Sequence, residues 1–196
     1  MKKTGLLFLT LAWMLYACQD KPAPQEKPAG QKVEKKTFFP VADYLKSEIS
    51  YVDSLPGGIL KYSTVGGKTD SVYIPSSEFD KLASEFLPPE LTDSVFTREF
   101  SENSFIDQTT QAVTFTYEPV TPTQELRRVD ILAAQGSGID RVKSVYMEKT
   151  TNTGSTTVIK KMFWKAKRSF QVISISQTDN QPAVSSELRV VWDYRN

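Results

Sequence analysis

The sequence contains no histidine and only one cysteine among its 196 residues. The absence of histidine excludes catalytic triads with a histidine base, and zinc or heme held by histidine. A single thiol excludes an internal disulfide and a four-cysteine zinc site. The charges nearly balance, with 24 Lys and Arg against 23 Asp and Glu, so the basic excess of a general nucleic-acid binder is missing. We therefore expect no cofactor, no metal site and no nucleic acid as a partner.

The amino-terminal segment has the pattern of an export signal. Lys2 and Lys3 precede an uncharged, largely apolar run from Gly5 to Ala17. At about 1.5 Å per helical residue this run reaches roughly 20 Å, which is short of the ~30 Å hydrocarbon core of a bilayer. The pattern favours a cleaved signal peptide over residues 1–17. A plain secretory signal and an uncleaved anchor remain the alternatives.

The run ends in Leu15-Tyr16-Ala17-Cys18, which resembles the lipobox of bacterial lipoproteins. In that family the cysteine is thioether-linked to diacylglycerol, the leader is cut just before it, and the new amino group is usually acylated by a fatty acid such as palmitate. The resemblance implies that Cys18 is the lipidated residue. Several acyl chains anchor a protein far more firmly than one. Tyr16 departs from the family's pattern, which has a small or modest-sized residue at this position. The residue after the cysteine is Gln19 and not Asp, which in enteric lipoproteins implies sorting to the outer membrane.

After the cysteine the sequence changes twice. Residues 18–36 include three prolines and five lysines but one large aliphatic side chain, so they cannot bury enough apolar surface to fold and are predicted to form a disordered tether. Residues 37–196 have globular patterning and are predicted to form a single domain. In layout, although not in any motif, this body resembles the uncharacterised small lipoproteins of Gram-negative envelopes.

The body is predicted to be an α+β domain. Apolar residues recur at helical spacing from Val41 to Val52, and again from Phe79 to Phe86. A hairpin is predicted across Gly66-Gly67. The remainder reads as strands with short connections, which must be antiparallel neighbours. We expect a curved antiparallel meander of about seven to nine strands packed against two N-terminal helices, with strands at 59–65, 69–74, 95–105, 111–118, 125–134, 139–150, 156–166, 169–177 and 186–194.

The cations cluster in one part of the body. Residues 37–140 hold 7 basic and 16 acidic side chains, whereas residues 141–168 hold 8 basic and 1 acidic. Cations interleaved with aromatic residues near a hairpin end favour an anionic surface or a partner's acidic face. Strand alternation would instead split these cations between two faces, or they would pair with the acidic half of the same body. The candidate patch consists of Lys160, Lys161, Trp164, Lys165, Lys167 and Arg168.

Three functional hypotheses follow. The first is a non-enzymatic, lipid-anchored envelope protein that binds a protein partner or ligand near the outer membrane. The second is a carrier, because a curved sheet rich in aromatic residues could enclose an apolar cavity for a lipid or lipopeptide. The third is a hydrolase that acts through two carboxylates, although no spacing of Asp or Glu in the sequence singles out a pair. Such a hydrolase should have carboxyl groups with strongly raised pKa values in a cleft.

Overall fold

The computed structural model of this chain describes residues 38–136 and 138–194. The predicted leader, the Cys18 lipidation site and the tether lie outside the described residues. The order of the elements is α1 (Val41–Asp53), β1 (Ile59–Val65), β2 (Lys68–Ile74), α2 (Ser76–Ala83), α3 (Asp93–Glu99), β3 (Phe100–Asp107), β4 (Ala112–Pro119), β5 (Leu126–Ala134), β6 (Val142–Thr153), β7 (Thr156–Lys165), β8 (Ser169–Thr178) and β9 (Val184–Val191). Short 3-10 helices lie at Ser84–Phe86, Pro89–Leu91 and Ile139–Arg141.

The nine strands form one antiparallel sheet in the order β2-β1-β9-β8-β7-β6-β5-β4-β3. Strands β3 to β9 follow one another as a meander because their connections are short. The hairpin of β1 and β2 turns at Gly66-Gly67, where φ is +58° and +76°, and it joins the meander through β1 and β9. The predicted α+β class with an antiparallel sheet of seven to nine strands is confirmed.

One predicted strand was wrong in its first half. The segment 95–105 begins as helix α3, and strand β3 starts only at Phe100. Phe96 and Phe100 are four residues apart, and their ring centroids lie 4.9 Å from each other. Phe96 also packs 4.8 Å from the ring of Tyr117 on β4. The helical turn brings both phenylalanines onto the core. An extended chain would also have placed residues at this spacing on one face, so the spacing alone did not distinguish a helix from a strand.

All three helices pack on one face of the sheet. The buried residues of β9, β8, β7 and β6 that face them are in direct register, because Val190 pairs with Phe170, Phe170 with Trp164, and Trp164 with Val145. From the helical side, Phe79 of α2 contacts the same aromatic residues. Successive strand residues point to opposite faces. The other face therefore carries the intervening residues, among them Arg189, Gln171, Phe163 and Tyr146.

Residues Lys36–Asn196 form one compact unit by their internal contacts. Its described part contains every strand pairing of the sheet and a hydrophobic core that runs from Phe38 to Trp192. A cooperative fold needs a core of its own, and this unit has one. We therefore expect residues 36–196 to fold without the segment that precedes them.

Candidate functional site

The predicted cationic patch maps onto β7 and the turn that follows it, and its members point in different directions. Trp164 is fully buried and stacks on Phe170 with the ring centroids 5.4 Å apart, so its indole is not part of any surface patch. Lys160 lies on the same, helix-covered side and donates to a Glu85 carboxylate oxygen at 2.6 Å. Lys161 lies on the opposite face, where it is exposed beside Phe163. Strand alternation therefore divides these cations between the two faces of the sheet, which is one of the alternatives that the sequence left open.

The turn between β7 and β8 is held by a buried carboxylate on α1. Glu48 is only 5% exposed, and its Oε2 accepts hydrogen bonds from the Lys167 backbone N–H at 2.6 Å and from Trp164 Nε1 at 3.2 Å. Lys167 has φ +58°, and its ammonium lies 5.8 Å from the centroid of the Tyr51 ring. The carboxylate thus fixes a left-handed residue at the tip of the turn and the indole beneath it. Sequence reasoning missed Glu48, although its place on the apolar stripe of α1, between Leu45 and Val52, was a signal.

A polar pocket of about 310 Å³ opens beside this turn, on the face of the sheet away from the helices. It is built from three neighbouring strands, because Ser169 of β8 pairs with Lys165 of β7 on one side and with Val191 of β9 on the other. Arg189 of β9 pairs in turn with Tyr62 of β1. The pocket is lined by Tyr62, Lys165, Arg168, Ser169, Arg189, Val191, Asp193 and Tyr194. We call it the cationic pocket.

The three cations of the cationic pocket lack ion-pair partners within the part of the chain that the structure describes. No described carboxylate oxygen lies within 4.0 Å of a side-chain nitrogen of Lys165, Arg168 or Arg189. The Arg189 guanidinium instead lies 6.0 Å from the centroid of the Tyr62 ring. Asp193 is the acidic residue of the lining, so three positive groups surround the pocket with one negative group. An excess of cations in a concave site concentrates field lines and attracts anions.

Tyr194 closes one side of the cationic pocket. Its hydroxyl lies 3.2 Å from the carbonyl oxygen of Gly58 and 3.3 Å from that of Val191, and it donates toward both. Burial, followed by the nearby Tyr73 and Tyr62, raises the pKa of Tyr194 above its ordinary value. The hydroxyl therefore stays neutral at physiological pH, and it ties the end of the chain to the start of β1.

A second pocket of about 400 Å³ lies at the same end of the sheet, on the side of the helices. Its lining is largely apolar and includes the end of α1 and the residues that follow it. Asp193 and Tyr194 line both pockets, so the two adjoin where the chain leaves β9. We call this one the apolar pocket, and it is lined by Tyr51, Leu55, Pro56, Gly57, Trp192, Asp193 and Tyr194.

Four of the aromatic residues that suggested a carrier pack against one another. The rings of Phe79, Phe86, Trp164 and Phe170 form one buried cluster between α2 and the sheet, with centroid separations of 5.2 to 6.4 Å. Edge-to-face and stacked contacts at these distances are those of a filled core. These side chains thus stabilise the packing of the helices on the sheet.

The carboxyl groups give the hydrolase hypothesis no support. Among the carboxyl groups that the structure describes, that of Asp80 has a raised pKa, through burial and then the charge of Asp53, but this side chain is exposed on α2. The pKa of Asp107 is lowered, chiefly by the hydroxyl of Thr110 and the backbone N–H of Thr109, in the exposed turn after β3. Within residues 38–136 and 138–194 there is no group of three Asp, Glu or Cys residues arranged to hold a metal ion.

Comparison of the chain with protein-family models, with curated proteins and with solved structures finds no significant match. Among the helices of the described residues, none combines the length and the apolar character needed to span a bilayer.

Proposed function

We propose that this chain is a non-enzymatic envelope protein, anchored through lipid on Cys18 near the outer membrane, whose folded body binds an anionic group of a partner or ligand in the cationic pocket. The observation that carries the binding part is the set of three cations, Lys165, Arg168 and Arg189, that face one pocket without an ion pair among the described residues. The lipobox resemblance supports the anchoring part.

The choice of site rests on three unpaired cations that line one pocket, because single described cations elsewhere, such as Lys149 and Lys161, also lack an ion pair. Lys61, Arg128 and Lys160 each contact a carboxylate, and in those pairs the positive charge is already neutralised within the fold. Leaving three cations close together without counter-ions costs mutual repulsion, which is screened only by salt. A bound carboxylate or phosphate would remove that repulsion, so anion binding and stability are linked at this site.

The filled core and the exposed position of Asp80 favour a binding role over the carrier and hydrolase hypotheses. A carrier needs an apolar cavity, whereas the aromatic residues available for its walls contact one another. The pockets described here are open surface sites of a few hundred Å³, a size that suits part of a ligand or one group of a partner.

Photocrosslinking in intact cells tests the binding part. A photoreactive residue in place of Ser169, within the cationic pocket, should trap a defined adduct, whereas the same residue in place of Gln108, in the exposed turn after β3, should not. Adding Arg189→Glu should reduce the Ser169 adduct at least about tenfold, because the change replaces an attraction for the anion with a repulsion inside the pocket. Equal adducts from both positions, or none from Ser169, would refute binding at this pocket.

Mass spectrometry of the mature chain tests the anchor. We expect a chain that begins at Cys18 with acyl groups on that residue, and a Cys18→Ser variant that leaves the membrane fraction. An unmodified Cys18 thiol in the mature chain would refute lipidation. The two parts of the proposal have separate readouts, because the mass spectrum reports on Cys18 and the crosslink reports on the cationic pocket.

A further inference from the structure

The cationic pocket and the apolar pocket meet at one end of the sheet. Strand β9 ends at Val191, whose side chain faces the cationic pocket, and the next residue, Trp192, packs on the helical side. Asp193 and Tyr194 then cross the end of the sheet and line both pockets. A group of cations thus lies next to an apolar depression, with a half-exposed tyrosine between them.

We propose that the two pockets form one site for a single anionic amphiphile, with a phosphate or carboxylate head in the cationic pocket and an apolar chain or ring in the apolar pocket. This inference rests on the proposed function and adds to it the chemical class of the ligand. Lys165, Arg168 and Arg189 would bind the head through charge-assisted hydrogen bonds. Tyr51, Leu55 and Pro56 would bury the apolar part, and the driving force would be the removal of apolar surface from water.

The shape of the site favours one amphiphile molecule over the surface of a bilayer. Both pockets are concave, at about 310 and 400 Å³, so a head group and a short apolar segment fit inside them. Contact with a bilayer surface would need cations and apolar side chains that protrude on one outer surface, whereas these two pockets lie on opposite sides of the sheet end. Charge complementarity favours an anionic head group, and the positions of the two pockets require a molecule that bends around Tyr194.

A series of alkyl phosphates below their micellar concentrations tests the inference, with residues 36–196 as the protein and calorimetry as the readout. Each added methylene should raise the affinity by up to about fourfold, so octyl phosphate should bind at least about tenfold more tightly than butyl phosphate. Octyl glucoside has the same chain without the charge, and it should bind at least about tenfold more weakly than octyl phosphate.

Variants separate the two pockets. Arg189→Glu should weaken all the phosphates at least about tenfold, whereas Leu55→Ser should reduce mainly the gain from butyl to octyl phosphate. Val184→Ser is the matched control, because Val184 is an exposed aliphatic residue outside both pockets and its replacement should change neither affinity. A bromine at the end of the octyl chain should quench tryptophan emission of the unmodified protein, which tests the apolar pocket even if Leu55→Ser fails to fold.

The outcomes distinguish this inference from the proposed function. Affinity that does not depend on chain length, or a lack of quenching by the bromoalkyl phosphate, would overturn the amphiphile site. Anion binding at the cationic pocket would still stand in that case if Arg189→Glu abolished the binding of the phosphates. Sedimentation with anionic phospholipid vesicles, without binding of octyl phosphate, would also overturn it in favour of contact with a bilayer surface. Failure of every phosphate together with failure of the Ser169 crosslink would reject both.

Discussion

Substitution of the buried Glu48 should have a large effect on stability, because two donors depend on one oxygen of its carboxylate. Glu48 Oε2 accepts from the Lys167 backbone N–H and from Trp164 Nε1, and neither donor has another acceptor in the described contacts. In Glu48→Ala both donors lose their acceptor, and the fully buried Trp164 indole cannot reach water instead. Each hydrogen bond to a charged group contributes about 1.5–3 kcal/mol, so we expect the free energy of unfolding to fall by about 3–5 kcal/mol.

Glu48→Gln should behave differently. The amide oxygen of glutamine can occupy the position of Oε2 and accept both bonds, so only the charge assistance is lost. Charge-assisted bonds are about twice as strong as neutral ones, and we expect this variant to lose about 1–2 kcal/mol. Ser50→Ala, an exposed change on the same helix, controls for helix propensity and should stay within about 0.5 kcal/mol of the parent.

Urea unfolding of residues 36–196 measures these differences. With a denaturant slope of about 2 kcal/mol per molar, Glu48→Ala should lower the midpoint by about 1.5 M or more, and Glu48→Gln by less than about 1 M. Glu48→Ala should also weaken octyl phosphate binding, because Lys165 and Arg168 flank the turn that Glu48 holds. An alanine variant within about 1 kcal/mol of the parent, or a glutamine variant as unstable as the alanine one, would refute the reasoning.

Three further predictions concern stability. Tyr44→Phe should raise the free energy of unfolding by up to about 1 kcal/mol, because the buried Tyr44 hydroxyl has no partner among the described residues. Tyr117→Phe should lower it by about 1–3 kcal/mol, because the Tyr117 hydroxyl donates to Glu102 at 2.7 Å and accepts from Phe39 N at 3.1 Å. The opposite ranking of the two variants in urea unfolding would contradict this prediction. Burial, with the hydrogen bond and charge of Glu148, raises the pKa of Tyr146 from 10.0 to about 12. The neutral Tyr146 hydroxyl therefore contributes fully to the free energy of unfolding below pH 10, and this contribution is lost as pH rises toward 12. Tyr146→Phe should reduce the loss of stability at alkaline pH, and an unchanged pH dependence would count against this prediction. Gln111 has φ +50° in the turn after β3, so Gln111→Gly should raise the midpoint of thermal unfolding, whereas Gly154→Ala, at φ +60°, should lower it; equal effects of the two changes would be inconsistent with backbone strain.

The local elements of the fold could be predicted from the sequence because their signals are short-range. The apolar stripe of α1, the paired glycines between β1 and β2, and the alternation of β4 and β7 all act within a few residues. The error at 95–105 has the same origin. Two phenylalanines four residues apart are compatible with either periodicity, and the contacts of Phe96 with Phe38 and Tyr117, far away in sequence, decide for a helix.

The site could be predicted only in part, because most of it comes from pairing between distant segments. Lys165 and Arg168 belong to the cationic run that the sequence analysis singled out. Arg189 and Tyr62 join them only because β9 pairs with β1, which nothing local to either strand indicates. Trp164 was assigned to the surface patch because indoles favour wet boundaries, whereas the aromatic cluster under the helices buries it completely.

The distribution of acidic residues bears on why the cations of the cationic pocket lack ion-pair partners among the described residues. The helices carry Glu48, Glu78 and Glu85, and they cover one face of the sheet. On that face Lys61 pairs with Glu78 and Lys160 with Glu85. On the opposite face Glu148 and Asp130 interact with Tyr146 of β6 and Arg128 of β5, and Glu187 of β9 accepts from the Gln171 side chain. Strand alternation places Lys165 and Arg189 on this second face, where Asp193 is the acidic residue that lines the cationic pocket with them. Positive side chains therefore outnumber acidic ones in this pocket, which favours an external anion.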